Sequence, residues 1–144
     1  MDDARALIDK LGMAPHPEGG WYKETWRAAD TFGNRAIATA ILFLLEEGQR
    51  SHWHRVDATE IWLWHAGNPL TLLTATRDDG PIATHLLGGN PLADQVPQHV
   101  IPPGHWQATE AHQGWGLVTC VVAPGFQFEG FTLAPAGWSP GPQS

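Results

Sequence analysis

Cysteine and long apolar runs are almost missing from this sequence. The single cysteine, Cys120, excludes an intramolecular disulfide, and the β-like run around it, residues 117–122, predicts a small buried side chain. The longest largely apolar stretch, residues 36–45, is too short to cross a bilayer as a helix. The first residues have neither the basic nor the apolar region of a secretory signal. We therefore expect a soluble, cytoplasmic protein without a membrane partner.

Positive charge is also scarce. Lys and Arg number 8 against 15 Asp and Glu, the formal net charge is −7, and the basic residues form no run. Nucleic acids and anionic membrane surfaces need a basic patch, so neither is an expected partner.

A chain of 144 residues has the size of one domain with its own apolar core. We expect a single domain over residues 1–144.

Turn-forming residues, in contrast, are abundant, with 16 Gly and 12 Pro scattered along the chain. They separate many short apolar or alternating runs, a pattern typical of an all-β antiparallel sandwich or barrel. Residues 35–45 fit a strand or a buried helix, and the β-like stretch that follows favours the strand. The predicted strands cover residues 21–27, 35–45, 51–55, 60–66, 70–76, 82–87, 98–101, 105–110, 114–122 and 126–133.

The two ends of the chain differ from this β pattern. A short helix is predicted in about residues 1–14, because apolar side chains recur at helical spacing and Asp2 or Asp3 can cap it. Residues 134–144 are rich in Pro and Gly, so we expect an exposed tail there.

His52 and His54 are the centre of the chemistry that the sequence offers. Side chains two residues apart lie on the same face of a strand, so both imidazoles are expected to point the same way. Glu60 opens the next predicted strand and can come alongside them. Two imidazoles and a carboxylate form the ligand set of a divalent first-row metal with open positions. The alternative is a polar cluster whose members satisfy one another inside a barrel.

Two motifs that contain these residues resemble those of the cupin superfamily. The first has the form G…HxH…E…G, and the second, some forty residues on, has the form PxGxxH. The resemblance implies an RmlC-like jelly roll, that is, a double-stranded β-helix. In this chain the first motif is Gly48, His52-Trp-His54, Glu60 and Gly67, and the second is Pro102-Pro-Gly-His-Trp-Gln107.

Further segments extend the resemblance over nearly the whole chain, to a small cupin family of bacteria and fungi. This resemblance implies a homodimer with a pocket for a small molecule inside the barrel, and a shape similar to that of the deoxysugar 3,5-epimerases. It does not supply a reaction. The matching segments are Pro17-Glu-Gly-Gly20 leading into residues 21–27, Ser51-His-Trp-His-Arg55, and Asp57-Ala-Thr-Glu-Ile-Trp62.

One position departs from the cupin pattern. Where the pattern places a fourth metal ligand, a His, this chain has Gln107, while His105 lies two residues earlier. A Gln carbonyl is a weaker ligand than an imidazole, although phosphomannose isomerases use one. The resemblance therefore implies either no metal or one divalent metal (Mn, Fe, Ni or Zn) on His52, His54, Glu60 and Gln107.

Further residues are expected beside this group. Tyr22 and Glu24 share one face of a predicted strand that follows Glu18, and the tryptophans of residues 60–66 share a face with Glu60. The indole of a Trp that faces a cavity suits a sugar or an aromatic ring. The plain alternatives are a solvated strand for the first set and core filling for the tryptophans. The candidate pocket-lining residues are Glu18, Tyr22, Glu24, Trp62, Trp64, His105 and Gln107.

Three functions are compatible with these residues, with His52, His54 and Glu60 as the candidate catalytic group. The first is a metal-dependent enzyme. The second is a metal-free isomerase or epimerase, in which a His oriented by Glu60 removes a proton next to a carbonyl and Tyr22 or another acid returns one. The third is a module that binds a small ligand without turnover. The fold class does not choose among them, but the acidic balance disfavours a nucleotide diphosphate as the ligand.

Overall fold

Eleven β-strands and one α-helix make up the regular structure of residues 3–29 and 32–142, the part of the chain that the computed structural model describes. The prediction of an all-β protein with a short N-terminal helix is confirmed. No helix in the described ranges is long and apolar enough to cross a membrane. The elements are α1 (Asp3–Leu11), β1 (Ala14–Pro15), β2 (Trp21–Ala28), β3 (Ala38–Leu45), β4 (Arg50–Val56), β5 (Thr59–Gly67), β6 (Leu70–Ala75), β7 (Ala83–Leu87), β8 (Gln98–Ile101), β9 (Trp106–Glu110), β10 (Gly116–Ala123) and β11 (Phe131–Leu133).

The strands form two antiparallel sheets that face each other as a jelly roll. The six-stranded sheet has the order β1-β2-β3-β10-β5-β8, and the five-stranded sheet has the order β11-β4-β9-β6-β7. From β4 to β11, each strand lies in the sheet opposite to that of the strand before it, except β7, which follows β6 in the same sheet. Because the chain crosses repeatedly between the sheets, their inner faces share one interior.

Residues 35–45 form a strand only from Ala38 onward, and β3 resolves the choice between strand and helix. Phe43 and Leu45 are fully buried among the side chains between the sheets. Leu44, on the opposite face, is also fully buried and packs with Ile8 of α1. The run is apolar on both faces because the helix of the same chain covers its outer face.

The apolar core occupies one part of the space between the sheets. Full burial of a side chain of the size of Leu or Phe contributes about 1.5–3 kcal/mol, so this cluster is a main source of stability. Its largest members have at most 2% of their surface exposed: Phe43, Leu45, Trp62, Leu70, Leu72, Leu87, Ile101 and Val118.

The expectation of one strand over residues 126–133 is wrong. Phe128–Gly130 is a 3₁₀ turn, and only β11, Phe131–Leu133, pairs with β4. The backbone oxygen of Gly130 accepts from the N–H of Asp57 at 3.0 Å, and a side chain at this position would collide with the Asp57 carboxylate. An irregular segment therefore faces the space between the sheets.

In the described part of the C-terminal tail, residues 134–142, five of nine residues are exposed, but the segment still contacts the barrel. Ala134 is buried, and the Trp138 ring packs on Trp106 with 4.6 Å between centroids. The tail therefore packs against the outer face of the five-stranded sheet. Residues 143–144 and Asp2, one of the two candidate helix caps, lie outside the described residues.

Candidate functional site

A cavity of about 300 Å³ lies between the two sheets, beside the apolar core. Strands β3, β4, β5 and β10 form its inner part, and the irregular segment before β11 forms its outer wall. This volume is at the lower end of those of small-molecule sites. The lining residues are His16, Glu18, Tyr22, Glu24, Arg27, Thr39, Ile41, His54, Val56, Glu60, Cys120, Val122, Phe126, Gln127, Phe128, Glu129 and Phe131.

A buried ion pair joins His54 of β4 to Glu18. The distance from His54 Nε2 to Glu18 Oε2 is 2.8 Å, and Nδ1 donates to the backbone oxygen of His52 at 2.7 Å. Burial acts to lower the pKa of His54, but the charge and hydrogen bond of Glu18, together with Glu60 and the His52 carbonyl, raise the pKa to about 9. Burial acts to raise the pKa of Glu18, but His54 holds it below its ordinary value. At neutral pH the pair is therefore imidazolium and carboxylate.

A tight turn between β1 and β2 brings Glu18 into the cavity. Gly19 has a φ of +108°, and a side chain there would collide with the backbone oxygen of Arg50. The backbone N–H of His52 donates to the oxygen of Glu18 at 2.6 Å, which ties the turn to β4. The N–H of Glu18 in turn donates to Nδ1 of His16 at 3.1 Å. Because Nδ1 accepts, and because burial lowers the pKa of His16, this ring is neutral.

Glu60 belongs to a chain of buried hydrogen bonds. Gln107 Nε2 donates to Glu60 Oε1 at 2.9 Å, and Trp62 Nε1 donates to Gln107 Oε1 at 2.8 Å. Because an indole N–H can only donate, this contact fixes the orientation of the Gln107 amide. Both Glu60 and Gln107 are almost fully buried.

Glu60 is an acid whose charge is sensitive to pH near neutrality. Burial raises its pKa, His54 lowers it, Glu18 raises it, and hydrogen bonds from Gln107 and Cys120 lower it, with the net result of about 7. Its carboxyl group lines the cavity. Such a group can both take and give a proton at neutral pH.

Cys120 of β10 lies beside Glu60 in the cavity. It is buried, as expected, and burial together with the charges of Glu60 and Glu18 raises the pKa of its thiol well above the ordinary value. The thiol therefore stays protonated and can donate to the Glu60 carboxyl. The thiolate, which is the reactive form of cysteine, is suppressed here.

Three phenylalanines form the outer wall of the cavity. The ring centroids of Phe126 and Phe128 are 5.0 Å apart and those of Phe126 and Phe131 are 5.7 Å apart, all edge to face. Phe131 also lies over the ring of His54, with 5.5 Å between centroids. Phe128 is 56% exposed, so the wall extends to the mouth of the cavity.

A β-bulge places Glu24 and Arg27 together at the mouth. Two residues of β2, Glu24 and Trp26, pair with consecutive residues of β3, so Thr25 is the extra residue. In a regular strand Glu24 and Arg27 would lie on opposite faces, whereas here both line the cavity. Arg27 donates to both carboxylate oxygens of Glu24, at 2.8 and 2.9 Å, and to the backbone oxygen of Phe126 at 3.3 Å.

Five of the sequence-predicted site residues line this cavity, and a sixth, Gln107, lies behind them on Glu60. Their catalytic or binding roles stay predictions. The five are Glu18, Tyr22, Glu24, His54 and Glu60.

His52 is not with them, so the expectation that both imidazoles point the same way is wrong. Ser51 pairs with Thr109 and His54 with Gln107, which leaves one extra residue on β4. This bulge breaks the alternation of faces. The Nε2–H of His52 donates to the backbone oxygen of Pro135 at 2.9 Å, in a second groove under the C-terminal tail that Glu18 also lines.

Three other predicted lining residues lie outside the cavity. Trp62 shares a face with Glu60 but is one step deeper and fully buried, with its ring against Phe43 at 5.8 Å between centroids. Trp64 is partly buried against the core and donates its indole N–H to the oxygen of Asn68 at 3.0 Å. His105 precedes β9 and is not among the lining residues. Core filling, the plain alternative, describes the two tryptophans.

Several lining residues escaped the sequence interpretation. His16 stands beside Glu18 in a Pro-rich turn, which was a usable signal. The sequence contains no such signal for Cys120, because its apolar neighbours predict only burial. A regular strand over residues 126–133 would place Phe131 on the face opposite to Phe126 and Phe128, so it does not predict a wall formed by all three.

The residues that the resemblance implies as metal ligands do not fit a metal site in this arrangement. His52 and His54 direct their rings to different places, and both nitrogens of His54 are engaged by Glu18 and a carbonyl. The amide oxygen of Gln107 already accepts from Trp62. Across residues 3–29 and 32–142, no three His, Cys, Asp or Glu side chains are placed to hold a metal ion together. What these side chains offer is proton chemistry.

Two solved structures are similar to this chain in both fold and sequence. A protein of Shewanella oneidensis is 37% identical, with a TM-score of 0.86 over 93% of this chain and 85% of that one. A hypothetical protein from Leishmania major is 32% identical, with a TM-score of 0.82 over 91% of this chain and 86% of that one. No protein of curated function matches the chain significantly.

More distant structures share the fold alone. A variant of oxalate decarboxylase from Bacillus subtilis is 12% identical, with a TM-score of 0.64 over 83% of this chain and 29% of that one. The family model described as Cupin superfamily (DUF985) matches residues 5–134, nearly the whole chain, and confirms the resemblance predicted from the motifs. The chain therefore belongs to this cupin family.

Proposed function

We propose that the chain is an enzyme that moves a proton on a small carbonyl compound bound in the cavity, with Glu60 as the group that takes and returns the proton. The observation that carries the proposal is the Glu60 carboxyl, which lines the cavity, is 6% exposed and has a pKa of about 7. General acid–base catalysis is most effective when the pKa of the group lies near the working pH.

The proton transfer is balanced within the site. The Glu60 carboxylate takes a proton from the carbon next to the carbonyl, and the electron pair of the broken C–H bond forms an enolate. Glu60 becomes neutral as it takes the proton, so the cavity gains no net charge, and His54 stays paired with Glu18 at 2.8 Å. Glu60 then returns the proton, or Tyr22, which also lines the cavity, delivers one from another side.

This assignment changes the role of the histidine that the sequence suggested. A base needs a free lone pair, but both ring nitrogens of His54 carry protons that are donated to Glu18 and to a backbone carbonyl. His54 is therefore the partner of Glu18, and Glu60 is the base.

Exchange of deuterium from D₂O into a panel of small aldehydes and ketones, followed by proton NMR, tests the proposal. We expect exchange with the unaltered protein and a loss of about 100-fold or more in Glu60→Gln, which keeps the volume but not the acid. Glu47→Gln, the same change at an exposed turn, is the matched control and should exchange normally. Equal exchange in Glu60→Gln and the unaltered protein would refute the role of Glu60.

A second candidate is a binding module without turnover. One observation favours it. The polar groups of His54 and Gln107 have hydrogen-bond partners inside the protein, which is typical of a rigid cavity surface. Compounds that bind in the cavity without exchanging deuterium would support this candidate against the enzyme.

A further inference from the structure

The two cationic side chains that line the cavity are already neutralised by carboxylates of the same chain. His54 is paired with Glu18 inside, and Arg27 is held at the mouth by both oxygens of Glu24. A third lining ring, His16, is kept neutral because burial lowers its pKa. Neither cation is therefore left over to attract an anionic ligand.

Two lining carboxyl groups, in contrast, have no cation of their own. Among the described residues, Glu60 receives hydrogen bonds only from the uncharged side chains of Gln107 and Cys120, and the nearby cation, His54, is paired with Glu18. Glu129, at the mouth, is exposed and makes no ion pair within the described part of the chain. The phenylalanines of the outer wall line the same cavity.

We propose that the ligand of this cavity is an organic cation, a small amine whose ammonium group lies beside Glu60 and whose apolar part packs on Phe126, Phe128 and Phe131. An ammonium group would provide the charge that Glu60 lacks, and the faces of aromatic rings attract cations as well as apolar groups. This inference rests on the proposed small-molecule site and names its substrate class, a carbonyl compound that carries an amino group.

Three probes of nearly equal shape separate the charge classes: benzylamine, benzyl alcohol and benzoate. Titration calorimetry at neutral pH should find benzylamine bound at least about 10-fold more tightly than benzyl alcohol, and benzoate more weakly than both. Glu60→Gln should reduce the affinity for benzylamine about 10-fold or more and leave benzyl alcohol unchanged. Glu129→Gln should also reduce the affinity for benzylamine and leave benzyl alcohol unchanged. The reduction should be smaller than for Glu60→Gln, because an exposed charge is screened. Glu47→Gln is again the control that should change none of the three.

A second readout does not depend on the strength of binding. If an ammonium group lies beside Glu60, it favours the carboxylate, so binding near pH 7 should release a fraction of a proton from the unaltered protein and none from Glu60→Gln. Calorimetry in two buffers with different ionisation enthalpies measures this number. Benzoate as the tightest ligand, equal affinities for the three probes, or no proton release would overturn the inference.

These outcomes are distinct from a failure of the proposed reaction. Amine-selective binding without deuterium exchange would contradict the enzyme and leave this inference intact. Exchange of deuterium into uncharged ketones, together with no preference for benzylamine, would contradict this inference alone.

Discussion

The core and the cavity occupy neighbouring parts of the same space, on the same strands, and yet one is filled and the other is open. Along β3 the inward residues are Thr39 and Ile41 at the cavity and Phe43 and Leu45 in the core. Phe43, the largest of the four, fills the space between the sheets, and Thr39, the smallest, lies where this space is open.

The same change occurs on β5, whereas β10 carries valine in both parts. Glu60 lines the cavity, and Trp62, two residues further along the same face, is fully buried in the core. On β10, Val122 lies at the cavity and Val118, four residues earlier, in the core. Backbone pairing continues through both parts, with Glu60 opposite Val122 and Trp62 opposite Cys120. Side-chain size and chemistry, rather than a change of topology, therefore create the site.

Trp62→Ala should have the largest effect on this arrangement. It would remove the largest side chain of the core and leave the amide oxygen of Gln107 without its donor. We expect a loss of about 3–5 kcal/mol in the free energy of unfolding, measured by urea denaturation. Trp62→Phe keeps most of the volume and loses the hydrogen bond, so about 1 kcal/mol is expected for it. If Trp62→Ala cost less than about 1 kcal/mol, the core would not be filled as described.

The charge of Glu60 should give the next largest effect, and its sign depends on pH. Because the pKa is raised from 4.5 to about 7, the folded protein holds this proton more tightly than the unfolded chain. The resulting stabilisation is fully present below pH 4.5 and is lost as the pH rises through 7. Relative to Glu60→Gln, the unaltered protein should therefore lose about 3 kcal/mol across this interval. Urea denaturation of both proteins at several pH values measures the difference, and parallel stability profiles would contradict it.

A matched pair of substitutions on one strand compares the two parts directly. Val118→Leu adds a methylene group to a filled core and should cost about 1–3 kcal/mol. Val122→Leu adds the same group at the edge of the cavity, where there is room, and should change the stability by less than about 0.5 kcal/mol. Equal costs in thermal or urea denaturation would show that the two parts are packed alike.

The position of the site could be predicted from the sequence because it depends on local patterns. Glycines around Glu18 signal a turn, and alternation along β2 and β5 brings Glu24 and Glu60 to inward faces. The two cupin-like motifs added the jelly roll, which the structure confirms.

The contacts within the site could not be predicted in the same way. The side on which His52 lies depends on a bulge, which is set by the pairing of β4 with β9, more than fifty residues away. The phenylalanine wall depends on a turn held against Asp57, and the partner of His54 comes from the β1–β2 turn. These contacts join parts of the chain that local periodicity does not connect.

The proposed proton transfer depends most directly on the ionisation of the Glu60 carboxyl group. A carbon-13 NMR titration of the glutamate carboxyls, with Glu60 assigned from the signal that disappears in Glu60→Gln, measures its pKa. A midpoint at about 7 is the result expected for a buried acid that shares a cavity with the Glu18–His54 pair. A midpoint at the ordinary value of 4.5 would contradict it, because Glu60 would then be a permanent carboxylate at neutral pH.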